Sequence, residues 1–282
     1  MAVLLPWSRI VAGLGLLVLL VSSCGDAGTT DAGPPPVVIH FGADSATLEP
    51  YAFCYAGACV DGFPPENPID VGSPGEVTVE YPLDDWSFQA EFQAAGESCG
   101  RTQLVPLERT GPGTFRVTPA GYAGTYDVTL FGRGDGNLYT RFRWSTPYDG
   151  PPPVPEARLG VLAEHDGHVD SYGVELTVSN LARTPQEAQA TITVTAANGE
   201  SLTFQANESK ADCRPEGSLY WDGPDGPGRA AIGLGPPPFT YRVVLTLDAS
   251  RYAATAVWPA DVIEGYEPNV ALTFSPPLPA LT

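Results

Sequence analysis

The chain carries little positive charge. Its 282 residues hold 14 basic side chains against 33 acidic ones, a formal net charge of −19, and Lys210 is the single lysine. Such a surface repels phosphate backbones, which excludes nucleic acid as a partner. Histidine is scarce, with three residues, and the only methionine is Met1. No stretch spells HExxH, a Walker A loop, CxxC or a dinucleotide-binding glycine fingerprint, so the common metal, phosphate and redox sites have no local signature. A membrane-spanning apolar run is missing at the N-terminus, where residues 10–21 give 12 apolar and glycine positions, short of the ~20 that a spanning helix needs. Long helices are disfavoured by 30 prolines and 31 glycines, which favour short strands joined by turns.

What the N-terminus does contain is a short segment with Arg9, the apolar run, and then Val21-Ser22-Ser23-Cys24. That order is the order of an export signal. The last four residues resemble the lipobox of bacterial lipoproteins. The resemblance implies cleavage after residue 23 and a diacylglycerol on the Cys24 thiol. Cysteine parity agrees, because without Cys24 four remain, Cys54, Cys59, Cys99 and Cys213, an even number suited to disulfides in an exported chain. Four cysteines allow three pairings. Cys54 and Cys59 bracket a four-residue loop, and pairing them leaves Cys99–Cys213 as a staple between domains; the rival is a bridge from Cys99 to Cys54 or Cys59.

The expected organisation is a signal peptide over 1–23, a lipidated cysteine and flexible tether over 24–36, one domain over 37–148, a proline-rich linker over 149–155 and a second domain over 156–282. Residues 25–36 lack any large apolar side chain and end in three prolines, and Asp149-Gly150-Pro151-Pro152-Pro153-Val154-Pro155 reads as an extended, semi-rigid joint. Eight strand-like stretches fall in the first domain, among them a single strand over 48–54. Val77, Val79 and Tyr81 alternate there, as do Trp86, Phe88, Ala90 and Phe92, the period of a half-buried strand. The second domain repeats the pattern with seven. The fold class is therefore all-β, two tandem β-sandwich domains. Ala123-Gly124-Thr125-Tyr126-Asp127-Val128 resembles the sixth strand of bacterial immunoglobulin-like domains, which implies an immunoglobulin-like sandwich with Tyr126 as a tyrosine-corner residue and Val128 at the usual cysteine position. Thr125-Tyr126-Asp127-Val128-Thr129-Leu130 and Thr240-Tyr241-Arg242-Val243-Val244-Leu245 share a pattern that suggests duplication. The one helix signal is Thr184-Pro185-Gln186-Glu187, a capping-box spacing with proline at the first helical position, predicting a single turn.

Two hairpin registers follow from face matching. Around Asn198-Gly199 a three-residue loop, 197–199, sets Val194 against Leu202 and Ile192 against Phe204, with Gly199 in the left-handed position. With Asp166-Gly167 as a two-residue turn, Val161 opposes Tyr172, Leu159 opposes Val174, and His165 opposes His168 with Asp170 on the same face. Two imidazoles roughly 5 Å apart at Cβ suit a transition metal with Asp170 as third ligand and His40, another carboxylate or water as the fourth. The same residues equally suit a polar hairpin rim.

Other motifs have simpler explanations. Gly96-Glu97-Ser98-Cys99-Gly100 matches the nucleophile-elbow spacing, but strand and turn residues follow where a helix is required. Arg133-Gly134-Asp135 falls in a hairpin loop, where glycine and aspartate serve the backbone. Trp221-Asp222-Gly223-Pro224-Asp225 has the composition of an aromatic and acidic rim, but turn chemistry accounts for it, and one loop offers too few oxygens for calcium. The expectation is a non-enzymatic lipoprotein on the outer face of the bacterial cell membrane, with a binding or scaffolding role toward an envelope protein or small ligand. Its partner is the membrane, through the lipid, and no cofactor is expected unless the His165, His168 and Asp170 hairpin takes a metal.

Overall fold

The computed structural model describes residues 33–97, 99–165, 168–170, 173–209, 213–223, 225–263 and 268–281, without the side chains of His165, Asp170 and Asp225. Residues 1–32, which include the expected signal peptide and Cys24, lie outside the described residues. Residues 33–282 form one compact unit that holds two hydrophobic cores, one drawn from residues 37–144 and one from 157–274.

The first core lies between two antiparallel layers. Its strands are β1 (Val37–Phe41), β2 (Asp44–Leu48), β3 (Ala52–Tyr55), β4 (Ala58–Val60), β5 (Ile69–Asp70), β6 (Val77–Glu80), β7 (Ser87–Ala94), β8 (Thr102–Pro106), β9 (Glu108–Gly111), β10 (Thr114–Val117), β11 (Thr125–Arg133) and β12 (Asn137–Ser145). One layer runs β2-β1-β6-β10-β9 and the other β4-β3-β12-β11-β7-β8, with β5 pairing β12 in parallel. The central strands reproduce the A-B-E-D and C-F-G arrangement of an immunoglobulin-like sandwich. Alternation in the sequence becomes burial: Val77, Val79 and Tyr81, and Trp86, Phe88, Ala90 and Phe92, all face the core. The Tyr126 hydroxyl donates to the carbonyl of Tyr122 at 2.6 Å, a tyrosine corner.

The second core uses β13 (Glu156–Gly160), β14 (Ala163–His165), β15 (His168–Asp170), β16 (Glu175–Ser179), β17 (Ala188–Thr195), β18 (Ser201–Glu208), β19 (Leu219–Asp222), α1 (Asp225–Ile232), β20 (Phe239–Leu247), β21 (Ser250–Trp258) and β22 (Asn269–Ala271). The ladder runs β21-β20-β17-β18-β19-β16-β13-β22. Strand β18 pairs β17 through residues 201–206 and β19 through Asn207 and Glu208, so it passes from one layer to the other. The two similar sequence motifs occupy equivalent hairpins, β11–β12 and β20–β21, but use their tyrosines differently. Tyr241 is wholly buried, and its hydroxyl accepts the Leu162 N–H at 2.9 Å.

At the end of the stretch expected as tether, Pro34 is buried and Gly33 lies against the Phe53 ring. Three expectations change. The strand expected over 48–54 breaks around Pro50, where the chain leaves β2 in one layer for β3 in the other. No helical turn forms at Thr184-Pro185-Gln186-Glu187. Its Gln186 and Glu187 amides donate instead to Asp248 Oδ1 at 2.8 and 3.2 Å, and the Thr184 hydroxyl accepts the Gly217 N–H, so tertiary partners replace local capping. Leu159 opposes Leu176 rather than Val174. The ladder is interrupted beyond Gly160, where the Val161 amide goes to Pro268 and the Leu162 amide to Tyr241. The pairing therefore slips by two residues, an even slip that keeps every side chain on its expected face. Tyr172 lies outside the described residues.

Candidate functional site: the cleft between the sandwiches

The outward face of the β4-to-β8 layer carries side chains that alternate with the core. Register sets Tyr139, Phe131, Gln89 and Pro106 in one row, and Arg141, Thr129, Glu91 and Leu104 in the next. The Phe131 and Tyr139 rings lie 4.7 Å apart at 33°, and Tyr51 lies 6.3 Å from Tyr139 at 37°. Arg141 Nε donates to the Thr129 hydroxyl at 2.9 Å, and beyond these rows Arg143 pairs with Asp127 at 2.8 Å.

Arg158 on β13 of the second sandwich closes this face into a cavity of about 220 Å³ with Gln89, Glu91, Leu104, Phe131 and Tyr139. A second cavity of about 340 Å³ shares Gln89 and Arg158 and extends along Pro106, Glu156, Ile263 and Leu272. Together they form one cleft with both sandwiches as walls. Burial raises the pKa of Glu91 and of Glu156, while Arg141 and Arg158 respectively pull them back. Burial also raises the Tyr51 hydroxyl.

The cleft has fixed walls because the junction is bonded on one side of it. Asn180, 1% exposed, accepts the Leu104 N–H at 2.9 Å and donates to the Leu104 carbonyl at 2.9 Å and to Val154 at 3.1 Å. The Arg101 guanidinium donates to Leu181, Ala182 and Glu216, each at 2.8 Å. Cys99 and Cys213 form a disulfide across the same junction, and Cys54–Cys59 ties β3 to β4, with Cα separations of 5.2 and 4.1 Å. Another cavity of about 290 Å³ lies beside Arg101, Gln103, Tyr122, Asp149 and Pro152. Arg101 there is engaged with the second sandwich, and Asp149 accepts the Ala123 N–H at 2.7 Å.

The histidine hairpin adopts the expected local pairing: His165 opposes His168 and Ala163 opposes Asp170. The Asp166-Gly167 turn and the side chains of His165 and Asp170 lie outside the described residues; His168 is exposed. His40, considered as a fourth ligand, sits on β1 of the first sandwich with Nε2 2.9 Å from Glu80 Oε2. No group of three candidate ligands occurs among the described residues. Cys24, the expected lipidation site, lies outside them too.

The remaining motifs resolve into structure. Gly96 and Gly100 fall between antiparallel β7 and β8, without the helix a nucleophile elbow requires; Ser98 lies outside the described residues. In the Arg133-Gly134-Asp135 loop, a Cβ on Gly134 would stand 2.5 Å from the Trp86 ring. Trp221 is fully buried in the second core, which removes it from any surface rim.

No family model and no curated protein matches the chain. Among solved structures, the FN1–FN3 domains of chicken CNTN1 align over 79% of this chain and 90% of their own at 13% identity, with a TM-score of 0.20, too low to carry an argument. The class follows from the strands themselves: an all-β protein of two tandem immunoglobulin-like sandwiches. Among the described residues no helix is long and apolar enough to cross a membrane.

Proposed function

We propose that this chain is a lipid-anchored extracytoplasmic protein of the bacterial envelope, held at the outer face of the cell membrane through Cys24. Its role is non-catalytic binding or scaffolding, and the cleft between the sandwiches is its binding face. The observation that carries this reading is the bonded junction. Asn180, Arg101 and the Cys99–Cys213 disulfide hold two walls in one arrangement, so a ligand meets a preformed surface. Two disulfides support an oxidising compartment outside the cytoplasm. The buried carboxyls of the cleft each have an arginine nearby, which makes them groups that can bind a polar ligand. The test is capture from intact cells with the anchor in place: cross-linked partners should depend on Tyr139 and Arg158, and capture unaffected by altering both would remove the cleft from the proposal.

A second reading is favoured by one observation, the pairing of His165 with His168. In it the hairpin, with Asp170, binds a transition metal. Zn²⁺ and Cu²⁺ titration at neutral pH should then show uptake that a His165→Ala, His168→Ala double variant loses. Equal uptake would leave a polar hairpin.

A further inference from the structure

Three exposed apolar side chains gather on one stretch of the first sandwich. Val60 at the end of β4, Phe63 just beyond it and Ile69 on β5 all face solvent, and the Phe63 ring is 93% exposed. The stretch is held at both ends. β4 is tied to β3 by pairing and by the Cys54–Cys59 disulfide, a Cβ on Gly62 would stand 2.0 Å from the Tyr51 carbonyl oxygen, and β5 pairs β12. Between these ends Pro64, Pro65 and Pro68 restrict the backbone. Phe63 is thus presented outward on a stiffened support, with little ordering left to do when a partner covers it.

Place in the layer tells what the stretch faces. Phe53 and Val60 are opposite one another on β3 and β4, and Gly33, where the compact unit begins, lies against the Phe53 ring. Cys24 precedes Gly33 by nine residues, a reach of at most about 30 Å. The β3–β4 edge is therefore the root of the tether. At the other end of the same layer, Asn180 of the second sandwich bonds β8. The strands from β4 to β8 put about 24 Å between the two edges.

Charge narrows the kind of surface. Between Arg9 and Arg101 the sequence holds neither lysine nor arginine, and Asp61 and Glu66 are exposed within the stretch. Arg143, across the ladder from Asp70, is paired with Asp127. An anionic lipid surface repels such a stretch, whereas a zwitterionic one opposes it with no net charge.

We infer that Phe63, with Val60 beside it, inserts into the interface of a zwitterionic bilayer, a second membrane contact that sets the β3–β4 edge down and the second sandwich outward. This rests on the reading of Cys24 as the lipid anchor. Because the anchor keeps the stretch within about 30 Å of the lipid, its effective concentration is high and a single ring suffices. Phe63-Pro64-Pro65 also suits an aromatic-lined groove on a protein. What favours the bilayer is the tether root beside it.

The experiment places the full lipidated chain on phosphatidylcholine vesicles with and without brominated phosphatidylcholine. Trp86, Trp144, Trp221 and Trp258 are buried, so Phe63→Trp adds an exposed reporter. Its emission should shift to the blue on vesicles and be quenched by the brominated lipid. Tyr122→Trp, at a 69% exposed position beside Gln103 of β8, should show neither effect. Added phosphatidylglycerol should weaken the quenching at position 63, and salt should restore it. Thermal unfolding of each variant checks that it is folded. Equal quenching at the two positions, or stronger quenching on the anionic vesicles, overturns the inference. So does a position 63 that stays open to aqueous iodide on a chain retained by the vesicles, which leaves the stretch to a protein partner. A chain that leaves the vesicles altogether removes the anchor reading, and the inference with it.

Discussion

Asn180 pairs with Leu104 as if it were a strand. Its side-chain amide accepts the Leu104 N–H and donates to the Leu104 carbonyl, both at 2.9 Å, and Leu104 lies on β8, the last strand of its layer. A sheet edge that would otherwise present unpaired backbone groups is thus occupied by the neighbouring sandwich. Asn180 reaches this position with φ +62°, a left-handed conformation that asparagine tolerates better than most residues.

Asn180→Ala should therefore destabilise the protein by about 2–4 kcal/mol, because it leaves the part-buried Leu104 N–H and carbonyl and the Val154 carbonyl without the amide and puts alanine at positive φ. Asn180→Gly removes the amide but not the conformational fit, so it should cost less by about 1 kcal/mol. Urea denaturation of the three proteins measures both differences.

The two disulfides should differ in weight. Cys99–Cys213 spans a sequence separation of 114 and Cys54–Cys59 one of 5. In the chain-entropy account the long closure is worth about 4–5 kcal/mol and the short one about 2. Paired serine replacements, compared by equilibrium unfolding under non-reducing conditions, should show that order. Peptide mapping without reduction checks the pairing itself.

Two carboxyls should respond to pH with opposite sign. Burial raises Glu91, so its charged form is disfavoured in the folded protein. That penalty is absent below the unfolded pKa, grows as pH rises through the folded one, and persists above it. Glu91→Gln should raise Tm at pH 7 and leave it unchanged near about pH 3.5. Asp248 is held low by the Glu187 backbone amide, with further help from Gln186 and Arg183. Its stabilisation is present above the unfolded pKa and lost as pH falls through the folded one, so Asp248→Asn should lower Tm at pH 7 and converge with the parent in acid. Thermal melts across that range test both.

Much of the fold was legible because strand burial has a period of two and both sandwiches obey it. The 197–199 loop is one case: Val194 opposes Leu202, Ile192 opposes Phe204, and Gly199 has φ +87°. The Thr184 to Glu187 stretch has the pattern of a helix start but forms none, because its amides are satisfied by Asp248, which is 61 residues from Glu187, and no local pattern reveals such a partner. The helix Asp225–Ile232 is the opposite case, since glycines and proline mask its signal. The cleft was invisible in the sequence. Phe131 and Tyr139 look like ordinary strand residues, and only the arrival of Arg158 from another domain makes them a wall. Asn180 left one faint trace, a lone asparagine just after a strand, where a left-handed residue is common.

The central claim is that this body is carried on a lipid at Cys24, and intact-mass measurement of the membrane-extracted protein tests it most directly. The account predicts a chain that begins at Cys24 and carries added acyl mass, with Cys24→Ser lacking that mass and released from the membrane. A chain that starts elsewhere, or an unmodified Cys24, would contradict it.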